Sequence, residues 1–217
     1  MLESLVRAAR QLSDLGLSPG TTGNLSARVD DTMWVSASGT SFSSIVPADF
    51  IPFRDGIWAE GRPTKEAMLH LEMYRKNPDA QVVIHLHSPE AAAASCLPAW
   101  RSECAFPPLS PYFVMKVGNM PMISYQPPGS SDLAQEIREL TTNCDCVLLQ
   151  NHGQIVSAAN VQLAVERCIE IENSARLRLL LEGKECRFLT QNEAEYLARQ
   201  SKRPWLENDW RMSSANG

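Results

Sequence analysis

The sequence predicts one layered domain of helices on a mixed sheet, of α/β/α or α+β type. Three observations point there. The chain has 217 residues, enough for a single core of ordinary size. Apolar patterns of helical and of strand period alternate along it without the regular β-α-β beat of a doubly wound parallel sheet. No internal repeat and no linker-like stretch divides it.

Near the amino terminus, Leu2, Leu5, Val6, Ala9, Leu12 and Leu15 recur mostly at spacings of three and four, which predicts a helix over 2–15. The run Gly-Leu-Ser-Pro-Gly at 16–20 stops it. A polar glycine loop at 21–24 leads into alternating segments at 25–29 and 33–36, which read as a hairpin turning at Asp30 and Asp31. A loop of small residues follows at 36–41. Pro63 and Thr64 open a helix carrying Ala67, Leu69, His70, Met73 and Tyr74, with Glu66 in its first turn. The β-branched, apolar stretch 80–87 predicts a buried strand. Ser88 as a cap and Pro89 behind it open a short alanine-rich helix. The proline-rich segment 106–112 reads as a loop or strand lead-in, and 120–125 as a strand. A helix over 132–142, a strand over 146–149, a long helix over 161–181 and a last helix over 190–199 complete the chain. The tail from Ser213 is expected to be disordered.

Composition excludes several functions. With 20 Lys+Arg against 25 Asp+Glu, the net charge is -5. The basic residues are scattered, so the positive footprint that nucleic-acid binding draws on is missing and no such partner is expected. No stretch approaches the roughly 18 apolar residues of a membrane span, so no membrane partner is expected either. The start of the chain is amphipathic, not basic then apolar, and a soluble, cytoplasmic protein without a secretion signal is expected. The six cysteines form no Cys-x-x-Cys pair and several lie in apolar runs, the pattern of reduced core thiols. The five tryptophans form no ordered stripe and are expected to pack in the core or an interface.

The sharpest chemical feature is His85-Leu86-His87. Residues two apart on a strand share a face, so both imidazoles can reach one ion; a hydrogen-bonded pair at a strand end is the alternative. Asn151-His152-Gly153 follows an apolar strand, where side chains of functional loops are commonly presented. Glu66 offers a carboxylate, or simply a partner for its helix dipole. Three imidazoles and a carboxylate make a familiar tetrahedral site for a divalent ion such as zinc. The loops Thr21-Thr22-Gly23-Asn24 and Ser36-Ala37-Ser38-Gly39 supply N–H and hydroxyl donors that can hold a phosphate, or are plain turns. His70, one turn beyond Glu66, reads as a supporting or packing residue.

Taken together and in order, these segments resemble the class II aldolase/adducin family, a zinc-dependent group that includes L-fuculose-phosphate aldolase and L-ribulose-phosphate 4-epimerase. The resemblance runs over about 2–181 and rests on Gly-Asn-Leu-Ser at 23–26, Ser-x-Ser-Gly at 36–39, Pro-Thr-Lys-Glu at 63–66, His85-x-His87 and Asn151-His152-Gly153. It implies a single-domain α/β/α fold over 1–217, with a central, mostly antiparallel sheet flanked by helices, a core over about 2–200 and a tail over about 201–217. It implies that His85, His87, His152 and Glu66 hold Zn2+ or another divalent metal, and that Glu66 turns acid/base once substrate is bound. Asn24, Ser38, Gly39 and Thr64 are implied phosphate binders. The family's homotetramers place active sites at subunit interfaces, so Tyr112 is implied to act on a neighbour's site.

Where the aldolases tend to read Pro-Ser-Ser-Glu, this chain has Thr64 and Lys65 before Glu66. That departure, and the segment 110–118, resemble the branch typed as 3-oxo-tetronate 4-phosphate decarboxylases. The implied reaction loses CO2 from a phosphorylated sugar acid, through an enediolate stabilised by zinc, to leave dihydroxyacetone phosphate. Lys65 would hold the substrate carboxylate or share the phosphate. The alternatives are a sugar-phosphate aldolase or epimerase with the same site, and an adducin-like binding module without catalysis; a complete metal set argues against the module.

Overall fold

A computed structural model of the chain describes residues 1–206. Its strands are β1 (Asn24–Val29), β2 (Thr32–Ser36), β3 (Phe50–Arg54), β4 (Ile57–Trp58), β5 (Val82–Leu86), β6 (Met122–Ile123), β7 (Cys146–Leu149) and β8 (Gly153–Ala158). The helices are α1 (Leu2–Asp14), α2 (Ala67–Lys76), α3 (Pro89–Ala94), α4 (Ser131–Glu139), α5 (Val161–Leu181) and α6 (Gln191–Ser201). All eight strands form one sheet in the order β4-β3-β2-β1-β5-β8-β7-β6. Every neighbouring pair is antiparallel except β6 with β7.

Strand alternation sorts the side chains into two layers. Val82, Ile84 and Leu86 of β5 join Leu25, Ala27, Cys146, Leu148 and Val156 in a core shared with α1, α3 and α5. Val83, Val147 and Ile155 turn the other way, into a core closed by α2 and α4. Each fully buried aliphatic side chain on β5 contributes about 1.5–3 kcal/mol of transfer free energy. The same alternation turns His85 towards α2, and this positions the site.

The hairpin forms as expected, with Ser26 opposite Val35 and Val29 opposite Thr32. The long helix keeps its predicted bounds, and its Asn160 cap accepts from Leu163 N. Thr190 and Glu193 make a capping box that starts α6. Other expectations need correction. Glu66 is the cap of α2 rather than part of its first turn: an Ala37–Pro63 bridge and the Thr64 N–H bond to Ser36 O keep the chain extended up to it. Of the two alternatives for 106–112 the loop is borne out, and it leads into a π-helical turn, Phe113–Val117, in place of a strand. The 120–125 strand shrinks to two residues after Pro121, which has no N–H to pair. The strands β3, β4 and β8 went unread.

Cys104, Cys144, Cys146 and Cys168 are buried free thiols, whereas Cys96 and Cys186 are exposed. Trp205 is buried and meets Phe113 edge-on, with ring centroids 6.3 Å apart. Trp210 and the expected disorder from Ser213 lie outside the described residues. No helix among the described residues is long and apolar enough to cross a membrane.

Candidate metal centre

Two glycines explain how the histidine strand can be approached so closely. A Cβ on Gly23 would lie 2.8 Å from the carbonyl oxygen of His85, and one on Gly153 would lie 2.2 Å from that of Leu86. Gly23 also has φ +84°, a region that favours glycine. Both loops that carry site residues therefore press on the end of β5 through a residue without a side chain. Asn151 takes φ +54° ahead of His152, and Ser95 at the end of α3 fixes this turn: its carbonyl accepts from Asn151 N and its hydroxyl from His152 N, at 3.2 and 3.1 Å.

Three imidazole nitrogens converge in the space so formed. His87 Nε2 lies 2.9 Å from both His85 Nε2 and His152 Nε2, and the last two are 3.3 Å apart. Glu66 Oε2 stands 3.3 Å from His85 Nε2, and Oε1 3.2 Å from His152 Nε2. One ligand atom from each of the four residues lies within 4.8 Å of all the others. The rings meet at interplanar angles of 66°, 88° and 84°, each aiming an edge at the centre.

This donor set fits a divalent cation better than a hydrogen-bond network. Each N–H can serve one acceptor in line, so three mutually close nitrogens cannot satisfy one another. His85 Nδ1 donates to Gln154 O at 2.8 Å, which leaves the Nε2 lone pair facing inward. Burial drives the Glu66 carboxyl upward, but the charge and hydrogen bonds of His85 and His152 outweigh it and hold the group well below the usual carboxylate range. Burial pushes His87 down to about 3, helped by the charges of His85 and His152, so its ring stays neutral and able to ligate. Burial also works against charge on His85, yet Glu66 and the Gln154 carbonyl raise its pKa.

Asn24 stands beside the centre. Its Nδ2 donates to Glu66 Oε2 at 2.8 Å and its Oδ1 lies 2.6 Å from His70 Nε2. One Nδ2 hydrogen is left to reach a ligand. Ser38, Gly39, Thr64 and Lys65 sit on two stitched loops: Thr64 N donates to Ser36 O and Ser38 N to Arg62 O. Thr64 is buried, its hydroxyl accepting from Glu66 N at 3.4 Å. Lys65 and Gly39 are exposed, and the close approach of Gly129 to Lys65 holds a further loop against Lys65 alone. Tyr112 lies outside the cluster, 60% exposed, with Lys116 Nζ 5.9 Å above its ring. The site roles of Ser26, Tyr74, Ser95 and Gln154 escaped the sequence reading. Asn24 with Ser26 on one strand face, and His70 with Tyr74 one helical turn apart, are the spacings that could have revealed two of them.

Residues 3–179 match the class II aldolase and adducin N-terminal domain. The chain is 34% identical over 203 residues to a 3-oxo-tetronate 4-phosphate decarboxylase of Haemophilus influenzae, covering 92% of this chain and 97% of that one. It is 28% identical over 183 residues to an L-fuculose phosphate aldolase of Escherichia coli, covering 82% of each. The solved structure of YgbL from Escherichia coli superposes with a TM-score of 0.85 at 33% identity, over 90% of this chain and 96% of that one. An L-fuculose 1-phosphate aldolase structure gives 0.79 at 25%, over 93% and 95%. With fold, motif order and ligand set in agreement, the chain belongs to the class II aldolase and adducin family.

Proposed function

We propose that the chain is a metal-dependent lyase that decarboxylates 3-oxo-tetronate 4-phosphate to dihydroxyacetone phosphate and CO2. The observation that carries the reading is the 34% identity, over nearly the full length of both chains, to a relative bearing that activity in its name. Four further relatives so named match at 31–34%. Relatives named as aldolases match at 28–31%, which meets that range only at its lower end.

His85, His87, His152 and, before substrate arrives, Glu66 would hold the metal; zinc suits three nitrogens and an oxygen. When bound, the ion supplies a Lewis acid for the substrate's carbonyl and hydroxyl oxygens. Thr64, Ser38 and Gly39 offer hydroxyl and backbone donors to the phosphate, with the spare hydrogen of Asn24 nearby. Lys65, exposed next to Glu66, pairs with the carboxylate that leaves or shares the phosphate. As CO2 departs, the electron pair of the broken C–C bond passes toward the neighbouring carbonyl oxygen. Glu66, which would take a proton from water once substrate displaces its carboxylate from the ligand set, then gives that proton to the carbon and is left ionised for the next cycle.

A cytoplasmic homotetramer is part of the proposal, and the exposure of Tyr112 suits a role in a neighbouring subunit's site. Incubation of the metal-loaded protein with 3-oxo-tetronate 4-phosphate in D2O tests the reaction. One CO2 per substrate and one carbon-bound deuterium in the three-carbon product are expected; substrate left intact would refute it.

A further inference from the structure

We infer that His70 is a positioning residue: through Asn24 it fixes which oxygen of Glu66 is tied and which is left to carry the proton. The inference rests on the reading of Glu66 as the acid/base group, and its evidence is a chain of five buried side chains. Glu66, Asn24, Ser26, His70 and Tyr74 are all buried, the last four at 4%, 0%, 0% and 2% exposure. They lie on β1 and on α2 with its cap Glu66, whose packing brings residues more than forty positions apart into contact.

The direction of every hydrogen bond follows from the carboxylate. An ionised Glu66 only accepts, so Asn24 must present Nδ2 to Oε2, at 2.8 Å. That turns Asn24 Oδ1 towards His70 Nε2, 2.6 Å away, and an amide oxygen only accepts, so Nε2 carries the ring hydrogen. Nδ1 is then a bare lone pair, and the Ser26 hydroxyl donates to it at 2.7 Å. Having spent its hydrogen, Ser26 Oγ accepts from the Tyr74 hydroxyl at 2.9 Å. Burial, with the charge of His85, holds the His70 pKa down at about 3, so the ring serves as a neutral donor and acceptor.

An Asn24 flip would set oxygen against oxygen at Glu66 and N–H against N–H at His70. The Nε2–H of His70 forbids it. With Oε2 tied to Asn24, Oε1, which faces His152 Nε2 at 3.2 Å, is the oxygen left to carry the proton.

The test compares His70→Leu and His70→Gln with Glu66→Gln, all metal-loaded, in the decarboxylation assay. His70→Leu should keep about one metal ion per chain and an unchanged KM, while kcat falls tenfold to a hundredfold, the scale of a misplaced reacting group. His70→Gln offers an N–H to Asn24 and an oxygen to Ser26, and should recover kcat to within about threefold. Wild-type kcat in His70→Leu, or no recovery in His70→Gln at equal metal content, would overturn the inference. Full activity in Glu66→Gln would instead defeat the reading of Glu66 itself. Nitrogen-15 NMR of the wild-type protein needs no variant to fold: His70 should be protonated at Nε2 and bare at Nδ1, and the opposite tautomer refutes the chain.

Discussion

Gly153 and Leu86 approach so closely that a Cβ on the first would lie 2.2 Å from the carbonyl oxygen of the second. The contact locks β8, directly after His152, onto the end of β5, between His85 and His87. Gly153→Ala must therefore move backbone and not merely a rotamer. It should cost about 1–3 kcal/mol of stability, as overpacking does, and weaken metal binding with it. Denaturant unfolding and a metal titration of the same sample check both; unchanged affinity would mean that the two strands adjust independently.

The converging nitrogens predict about one divalent ion per folded chain. On the proposed ligand set, His87→Ala removes one ligand, so affinity should drop by a hundredfold or more, beyond the roughly 10–100-fold that follows loss of a supporting group. Elemental analysis and competition with a coloured chelator measure this, and full occupancy in His87→Ala would remove His87 from the ligand set.

His70 should make stability depend on pH. Its pKa is held at about 3 in the folded protein, against about 6.5 for an ordinary histidine. Between those values the unfolded chain binds the extra proton, so stability rises with pH and is lost as pH falls below about 6.5. The contribution to this loss is about 3 kcal/mol between pH 6.5 and 4, at 1.36 kcal/mol per unit. Denaturation curves across that window should be visibly flatter for His70→Gln than for the wild type.

Arg167 is a second buried anchor, remote from the metal in its chemistry. Its Nε donates to Lys116 O at 3.1 Å, Nη2 to Asp145 Oδ2 at 2.8 Å and Nη1 to Ser157 O. It thus ties α5 to the end of β8 and to the π-helical turn. Burial raises the Asp145 pKa while Arg167 pulls it down, and Arg203 also reaches the same oxygen. Arg167→Met should cost about 3 kcal/mol, the lower end for breaking a buried charge pair, without altering metal stoichiometry. Thermal unfolding beside metal analysis separates the two effects.

What the sequence revealed of the fold follows the strength of local periodicity. The helix at Val161–Leu181 and the strand at Cys146–Leu149 are long or uniformly apolar, and their bounds were readable. β3 contains Pro52, which demotes a strand pattern, and β4 has only two residues. β8 hides Gly153 and Gln154 at its start; both are buried because of what β5 and α3 require, not because of their own preferences. His85 and His87 were legible because a period of two needs only a strand. The roles of Asn24, His70 and Gln154 depend on partners 42 to 69 positions away, which no local pattern carries.

The central claim is the reaction itself. The measurement that tests it most directly offers 3-oxo-tetronate 4-phosphate and L-fuculose 1-phosphate, side by side, to the same metal-loaded protein and follows CO2 and aldehyde release. The account predicts rapid CO2 from the first and at most slow aldehyde from the second. Aldehyde release with no CO2 would contradict it and make the chain an aldolase.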